Sequence, residues 1–256
     1  MKTKAEIVKD WLPRYTGLTL NETSDYILLT NFYHYLEIFA ETQGGEIKNP
    51  DVNMPACTAN GLTMINFGMG SPNAATIMDL LTAVNPKAVL FLGKCGGLKR
   101  KNKLGDLILP IAAIRNEGTS NDYLPSEIPA LPAFSMQRAV SSAIKRAGLD
   151  YWTGTVLTTN KRVWEYDDRF KKYLEKTRAM AIDMETATIF TVGFHNDIPS
   201  GALLLVSDQP MISTGVKTSK SDKMIDEKFV YHHVTIGIEA LKEIKNDGVS
   251  VKHLRF

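Results

Sequence analysis

At 256 residues the chain can hold one large α/β domain or two small ones, and either arrangement buries a substantial core. Hydrophobic residues at 44% and charged residues at 23% are ordinary for a soluble enzyme, and a net charge of +2 without a dense basic block argues against a nucleic-acid binder. Two cysteines in unrelated contexts, Cys57 and Cys95, give no disulfide framework and fit a reducing, cytoplasmic compartment.

The N-terminal MKTKAEIVKDWLPRY breaks its apolar residues with charges, so it lacks the apolar core of a signal peptide; residues 1–24 read as an extension ahead of the first strand. Strand candidates begin with YILLT (26–30) and LTMINFG (62–68). The uncharged stretch from Val52 to Met78 is no membrane span, because Pro55, Asn60, Gly68 and Gly70 interrupt it. A helix is expected from Pro72 to Val84, capped by Ser71, with Ala74, Ile77, Met78, Leu81 and Val84 as its apolar stripe. KAVLFLG (87–93) follows as a buried strand, KRKNK (99–103) as a solvated turn, and DLILPIAAI (106–114) as another strand. Residues 115–135 read as a long ordered loop. TGTVLTT (153–159) and ALLLVSD (202–208) complete the strands, and EKFVYHHVTIGIEALKEI (227–244) is a helix with Val230, Val234, Ile238 and Leu241 on one face. Within it, adjacent His232 and His233 face different directions, which suits packing or solvent and not a metal. The alternation is that of an α/β sheet with covered faces.

Chemistry in such sheets gathers where strands end, and several ends here are unusual. NFGMGSPNAA (66–75) takes a strand through Gly68 and Gly70 straight into a helix, which is either an anion-favouring turn or a plain tight connection. FLGKCGGLKR (91–100) sets Lys94 within a glycine cluster, a plausible phosphate cradle, with Cys95 as a small packed residue. AIDMETATIF (181–190) embeds Asp183 and Glu185 in an apolar run; they either begin a helix or bind a polyhydroxylated ligand. ALLLVSDQP (202–210) delivers Ser207 and Asp208 to a strand terminus, where an apolar neighbourhood raises a carboxyl pKa; Asp208 is either a proton donor or a turn cap.

Taken in order, GMGSPNAA, GKCGGL followed by GDLILP, DMET and VSD resemble the nucleoside phosphorylase/nucleosidase superfamily over roughly residues 25–245. The resemblance implies one catalytic domain over 1–256: a three-layer α/β fold with a central mixed sheet flanked by helices. RNEGTSNDYLP and GTVLTTNKRVW resemble its AMP-hydrolysing branch. The reaction implied is hydrolysis of AMP to adenine and ribose 5-phosphate. Glu185 would accept hydrogen bonds from the ribose 2′ and 3′ hydroxyls, Met184 would pack beneath the sugar, and Asp183 stands where many relatives carry Glu. Negative charge there suits an oxocarbenium-like transition state. Asp208 would protonate N7 of the leaving purine, with Ser207 orienting it.

Phosphorylases of the superfamily hold inorganic phosphate with an arginine and a Ser or Thr at positions occupied here by Phe91 and Lys94, so water is the expected nucleophile. Lys94 would neutralise charge near the ribose or contact the substrate phosphate. Cations for the 5′-phosphate are Arg115 and Arg162 foremost, then Lys161, Lys217 and Lys220; adenine would lie near Trp164 or along Thr159 and Asn160. The resemblance also implies a homohexamer, with Asn31, Tyr33 or His34 serving a neighbouring subunit, and no regulatory domain of the kind longer bacterial members carry. No metal or cofactor is expected, since the five histidines are unclustered. Rival readings are a nucleoside phosphorylase, a methylthioadenosine-type nucleosidase, a catalytically silent nucleotide-binding or storage protein, and a dinucleotide-dependent oxidoreductase. The last is weakened because the third fingerprint glycine falls at Asn73.

Overall fold

Two adjacent apolar residues on a strand face opposite ways, and this period of two organises the chain into layers. The computed structural model describes residues 1–247. In chain order its helices and strands are α1 (Lys4–Thr16), β1 (Tyr26–Thr30), α2 (Tyr33–Gln43), β2 (Ile47–Lys48), β3 (Ala56–Ala59), β4 (Leu62–Asn66), α3 (Ser71–Leu80) and β5 (Ala88–Gly97). There follow β6 (Leu107–Asn116), α4 (Phe134–Arg146), β7 (Tyr151–Thr159), α5 (Asp168–Thr177), β8 (Ala181–Asp183), α6 (Thr186–His195), β9 (Ser200–Asp208), α7 (Ser219–Ile225) and α8 (Tyr231–Asp247).

The nine strands form one mixed sheet in the order β2-β3-β4-β1-β5-β8-β7-β6-β9. β1 lies parallel between β4 and β5, with Leu29 beside Ile65 and Phe91. β9 pairs parallel with β5 and also antiparallel with β6, so β5, β8, β7, β6 and β9 close into a ring. Leu29, Val89 and Phe91 face α1, α3 and α6 through Leu12, Ile77, Met78 and Phe190. Leu28, Leu90 and Leu92 face α2, α4 and α8 through Phe39, Ile144, Val234 and Leu241. This is the expected three-layer architecture.

Local chemistry fixes the first helix. Thr3 and Glu6 form a reciprocal capping box, and Gly17 ends α1 in the left-handed region at φ 73°. Val8 and Leu12 then bury against the layer of α3 and α6, so the residues expected as an extension belong to the core packing.

Several expectations need correction. β5 does not stop at Gly93 but runs on to Gly97, pairing with β8 through Gly96 and Gly97 and with β9 across a bulge. Glycine is required there by close approach: a Cβ on Gly96 would sit 2.9 Å from Pro210. The glycine cluster is therefore strand, not an open cradle. Ser71 is not the cap of α3; Gly70 holds that position at φ 96°, and Ser71 begins the helix. The helix ends at Leu80 and passes into a 3-10 turn over Leu81–Ala83. The predicted loop at 115–135 begins as strand through Asn116, and the rest is ordered around a 3-10 turn at Thr119–Asp122. A π turn over Asp226–Val230 joins α7 to α8. No helix among the described residues is long and apolar enough to cross a membrane.

His233 packs, as its place on α8 suggested. Its Nε2 must donate to the Leu203 carbonyl at 2.9 Å, so Nδ1 accepts from the Tyr35 hydroxyl at 3.0 Å. Burial above all holds its pKa down to about 4, against 6.5 ordinarily. The unfolded chain thus binds a proton the fold refuses, and stability present above pH 6.5 is lost as pH falls toward 4. Between about pH 7.5 and about pH 5, the wild type should lose roughly 2 kcal/mol more unfolding free energy than His233→Gln. Parallel pH–stability curves for the two proteins would contradict this.

Candidate active site

The ends of β5, β7, β8 and β9, with the residues just after β1, line one cleft. Counting space open to solvent, it encloses about 620 Å³. Its lining brings together Glu185, Met184, Asn31 and Met69 with Ser207, Asp208, Trp164 and Arg162; Lys94, Thr159 and Asp183 also line it.

The acidic element is assembled from three chain segments. Asp183 ends β8 and Glu185 occupies the cap position of α6. The Glu185 carboxylate, 2% exposed, accepts from the Gly70 amide at 2.7 Å and the Met184 amide at 3.3 Å. Ser71 donates its hydroxyl to the Met184 carbonyl at 2.7 Å. Gly70 thus serves the acid and not a ligand anion. Asp183 is satisfied within the protein: Thr158 donates to it at 2.7 Å, and Thr186 donates its amide at 2.8 Å together with its hydroxyl. Burial drives both carboxyls upward, and the Asp183 charge adds to the rise at Glu185. Two acids this close do not both ionise readily; donors from Thr158, Thr186 and the Glu185 amide favour the charge on Asp183, and that charge with burial favours the proton on Glu185.

Asp208 ends β9, accepting from the Ser207 hydroxyl at 2.8 Å. Burial raises its pKa foremost; the Ser207 hydrogen bond and the Lys217 and Arg162 charges pull it down, and Glu165 pushes it up. A carboxyl so placed can keep a proton to donate.

The cations fall out differently from expectation. Lys94, its side chain 3% exposed, lies 2.9 Å from Asp222 and 2.6 Å from Asp226, with its ammonium 4.5 Å from the Phe32 ring centre. Lys217 shares Asp222 at 2.9 Å. Arg162 faces Glu165 at 3.4 Å, and Lys161 pairs with Asp167 at 3.0 Å. Arg115 is not in the cleft. Its guanidinium is spent on the following loop, donating to Ser120, Asn121 and the carbonyls of Leu124, Pro125 and Ile128. Asn160 is exposed and outside the lining, while Thr159 is part of it. Trp164 is buried, its ring edge-on to Phe170, so it forms wall more than an open stacking platform. Cys95 is buried with its thiol pKa pushed well up by desolvation, fitting a packed residue. Glu165, Asp222 and Asp226 were not foreseen; only the four-residue spacing of the two aspartates, which puts them on one helical face, hinted at a joint role.

The family model described as the phosphorylase superfamily matches residues 28–234. The chain belongs to the phosphorylase superfamily. Among curated superfamily relatives, AMP nucleosidase of Escherichia coli (strain K12) is 30% identical over 284 residues, covering 93% of this chain and 58% of that protein. The chain therefore spans little more than half the length of that relative. Guanosine phosphorylase of Halorubrum lacusprofundi is 28% identical over 167 residues, 65% of this chain and 68% of that one. A crystal structure of AMP nucleosidase from Bacteroides thetaiotaomicron VPI-5482 aligns with TM-score 0.86 at 59% identity, covering 96% of this chain and all of that chain. Uridine phosphorylase from Vibrio fischeri ES114 aligns at TM-score 0.78 and 21% identity over 88% of this chain and 93% of its own, a likeness of fold.

Within this superfamily fold Arg115 acts as the clasp of the 117–128 loop. Arg115→Met should cost about 2 kcal/mol of stability, because it strips charge-assisted hydrogen bonds from three carbonyls at once. Limited proteolysis should then cut within residues 117–128; an unchanged melting point and cleavage pattern would contradict the assignment.

Proposed function

We propose that the chain hydrolyses the N-glycosidic bond of AMP, releasing adenine and ribose 5-phosphate. The observation that carries this is the convergence of Glu185 and Asp208 on one cleft, from strand ends far apart in sequence. Asp208 transfers its proton to purine N7 as the bond from C1′ to N9 breaks, so the electron pair leaves on a neutral base. Ser207 aims the carboxyl. Glu185 grips the ribose hydroxyls, and Asn31, whose buried Oδ1 is without a hydrogen-bond partner, lies beside it as a further polar contact. Water adds to C1′ and releases its extra proton to solvent.

Hydrolysis is favoured over phosphorolysis because the position of the phosphate-holding arginine is the buried Phe91 and Lys94 is already matched by two aspartates. The substrate 5′-phosphate is assigned to the more exposed cations of the cleft, Lys161 and Arg162, since Lys217 shares Asp222 with Lys94. The relatives named AMP nucleosidase support the same substrate. The reading includes a cytoplasmic homo-oligomer, a hexamer, in which Tyr33, 39% exposed, and His34 at the start of α2 serve a neighbouring copy.

Incubated with AMP and no inorganic phosphate, the protein should yield adenine and ribose 5-phosphate; a phosphate requirement with ribose 1-phosphate as product would make it a phosphorylase. No adenine at all would make it a binding protein. Asp208→Asn should lower kcat by about 10²–10⁴-fold. In the wild type kcat/KM should fall as pH rises through the elevated pKa of Asp208, since only its protonated form donates. A variant as active as wild type would remove Asp208 from the reaction.

A further inference from the structure

We propose that Glu165 selects a 6-amino purine over a 6-oxo purine at the base end of the cleft, an assignment that rests on the nucleosidase reading above. The segment after β7 is exposed at Val163 (65%) and Tyr166 (74%), yet between them the Glu165 side chain turns inward and is only 16% exposed. It lines the same cleft as Asp208. One of its oxygens accepts from the Trp164 amide at 2.9 Å, and the other meets Arg162 at a long 3.4 Å. A carboxylate offers about four lone-pair sites, so acceptor capacity remains on a wall that faces ligand.

The chemistry of the purine edge supplies the rest. Adenine presents N7 as acceptor and its 6-amino group as donor side by side, whereas guanine presents two acceptors there. A protonated acid answers N7 in either base. An acceptor next to that acid answers only the amino group, and it opposes the lone pairs of a 6-oxo group. Asp208 as donor and Glu165 as acceptor are therefore complementary to adenine and mismatched to hypoxanthine or guanine. The Glu165 charge also favours the protonated form of Asp208, so one residue would serve both recognition and the acid. Arg162, half-exposed, meets one Glu165 oxygen at 3.4 Å and so does not exhaust that carboxylate as an acceptor.

The test compares kcat/KM for AMP and IMP in wild type and Glu165→Gln, which keeps the size and an oxygen for the Trp164 amide. Wild type should prefer AMP by about 100-fold or more, since a site built around a hydrogen bond rejects the analogue that lacks it. Glu165→Gln should narrow that ratio at least about tenfold, by losing AMP and gaining IMP, and should move the loss of activity with rising pH to lower pH. An unchanged ratio, with both substrates weakened together, would reduce Glu165 to a structural clasp and overturn the proposal. Should the wild type cleave neither nucleotide, it is the nucleosidase reading that fails, and calorimetric binding of free adenine and hypoxanthine decides selection by itself. Tighter adenine binding that Glu165→Gln abolishes supports the assignment; equal affinities in the wild type overturn it.

Discussion

The structure turns on a single hydrogen bond, from the Gly70 amide to the Glu185 carboxylate across 2.7 Å. A carboxyl group withdrawn from water must be met by donors, and here they come from the backbone where one helix starts and the next begins. The Ser71 hydroxyl, donating to the Met184 carbonyl, repeats the stitch in the same sense. Together they fasten the start of α3 to the start of α6, so two helix N-termini approach one point. Only a residue without Cβ takes φ 96° at Gly70 without strain, which ties the glycine to the acid 115 residues later. The acid is preorganised because the starts of both helices hold it in place.

The two acids of AIDMET meet opposite fates although one residue separates them. Asp183 spends both oxygens on Thr158 and Thr186 and thereby joins β7, β8 and α6. Glu185 is held by the Gly70 amide, the Met184 amide at 3.3 Å and the Asn31 side chain, yet burial and the Asp183 charge favour its protonated form. A neutral acid costs less to bury than a second anion. In the proposed reaction, positive charge growing on the ribose would lower the pKa of Glu185, whose proton would pass to water in the solvent-open cleft and leave Glu185 as the counter-charge when it is needed. Ground-state burial and transition-state complementarity are then served by the same group.

The fold was legible where burial on both faces forced continuous apolar runs. YILLT was found to the residue, and KAVLFLG, DLILPIAAI, TGTVLTT and ALLLVSD each lie within or beside a strand of the sheet. β8 escaped because three residues, Ala-Ile-Asp, carry no period. α6 was legible only as a possible helix start at Asp183 and Glu185, because TATIFTVGFH is buried nearly all round and no polar face marks its course. At the site, Asp208 and Glu185 were visible as carboxyls stranded in apolar sequence. Arg115 misled because a cation after a core strand looks the same whether it awaits a ligand or clasps its own loop. That distinction depends on carbonyls at 124, 125 and 128, which the sequence cannot orient.

Lys94 shows how a charge deep in a cleft can decide which anion is welcome. Its ammonium is matched by Asp222 and Asp226 and backed by the Phe32 ring, and Lys217 shares Asp222. Two cations meet two carboxylates, so this side of the cleft is balanced before any ligand arrives. An incoming inorganic phosphate would have to draw Lys94 from its partners and leave a carboxylate uncompensated. Neutral water faces no such toll. In the proposed reaction the same balance spares an AMP phosphate only if it stays clear of Lys94, which would put that phosphate toward the exposed cations of the rim and leave the interior of the cleft to sugar and base.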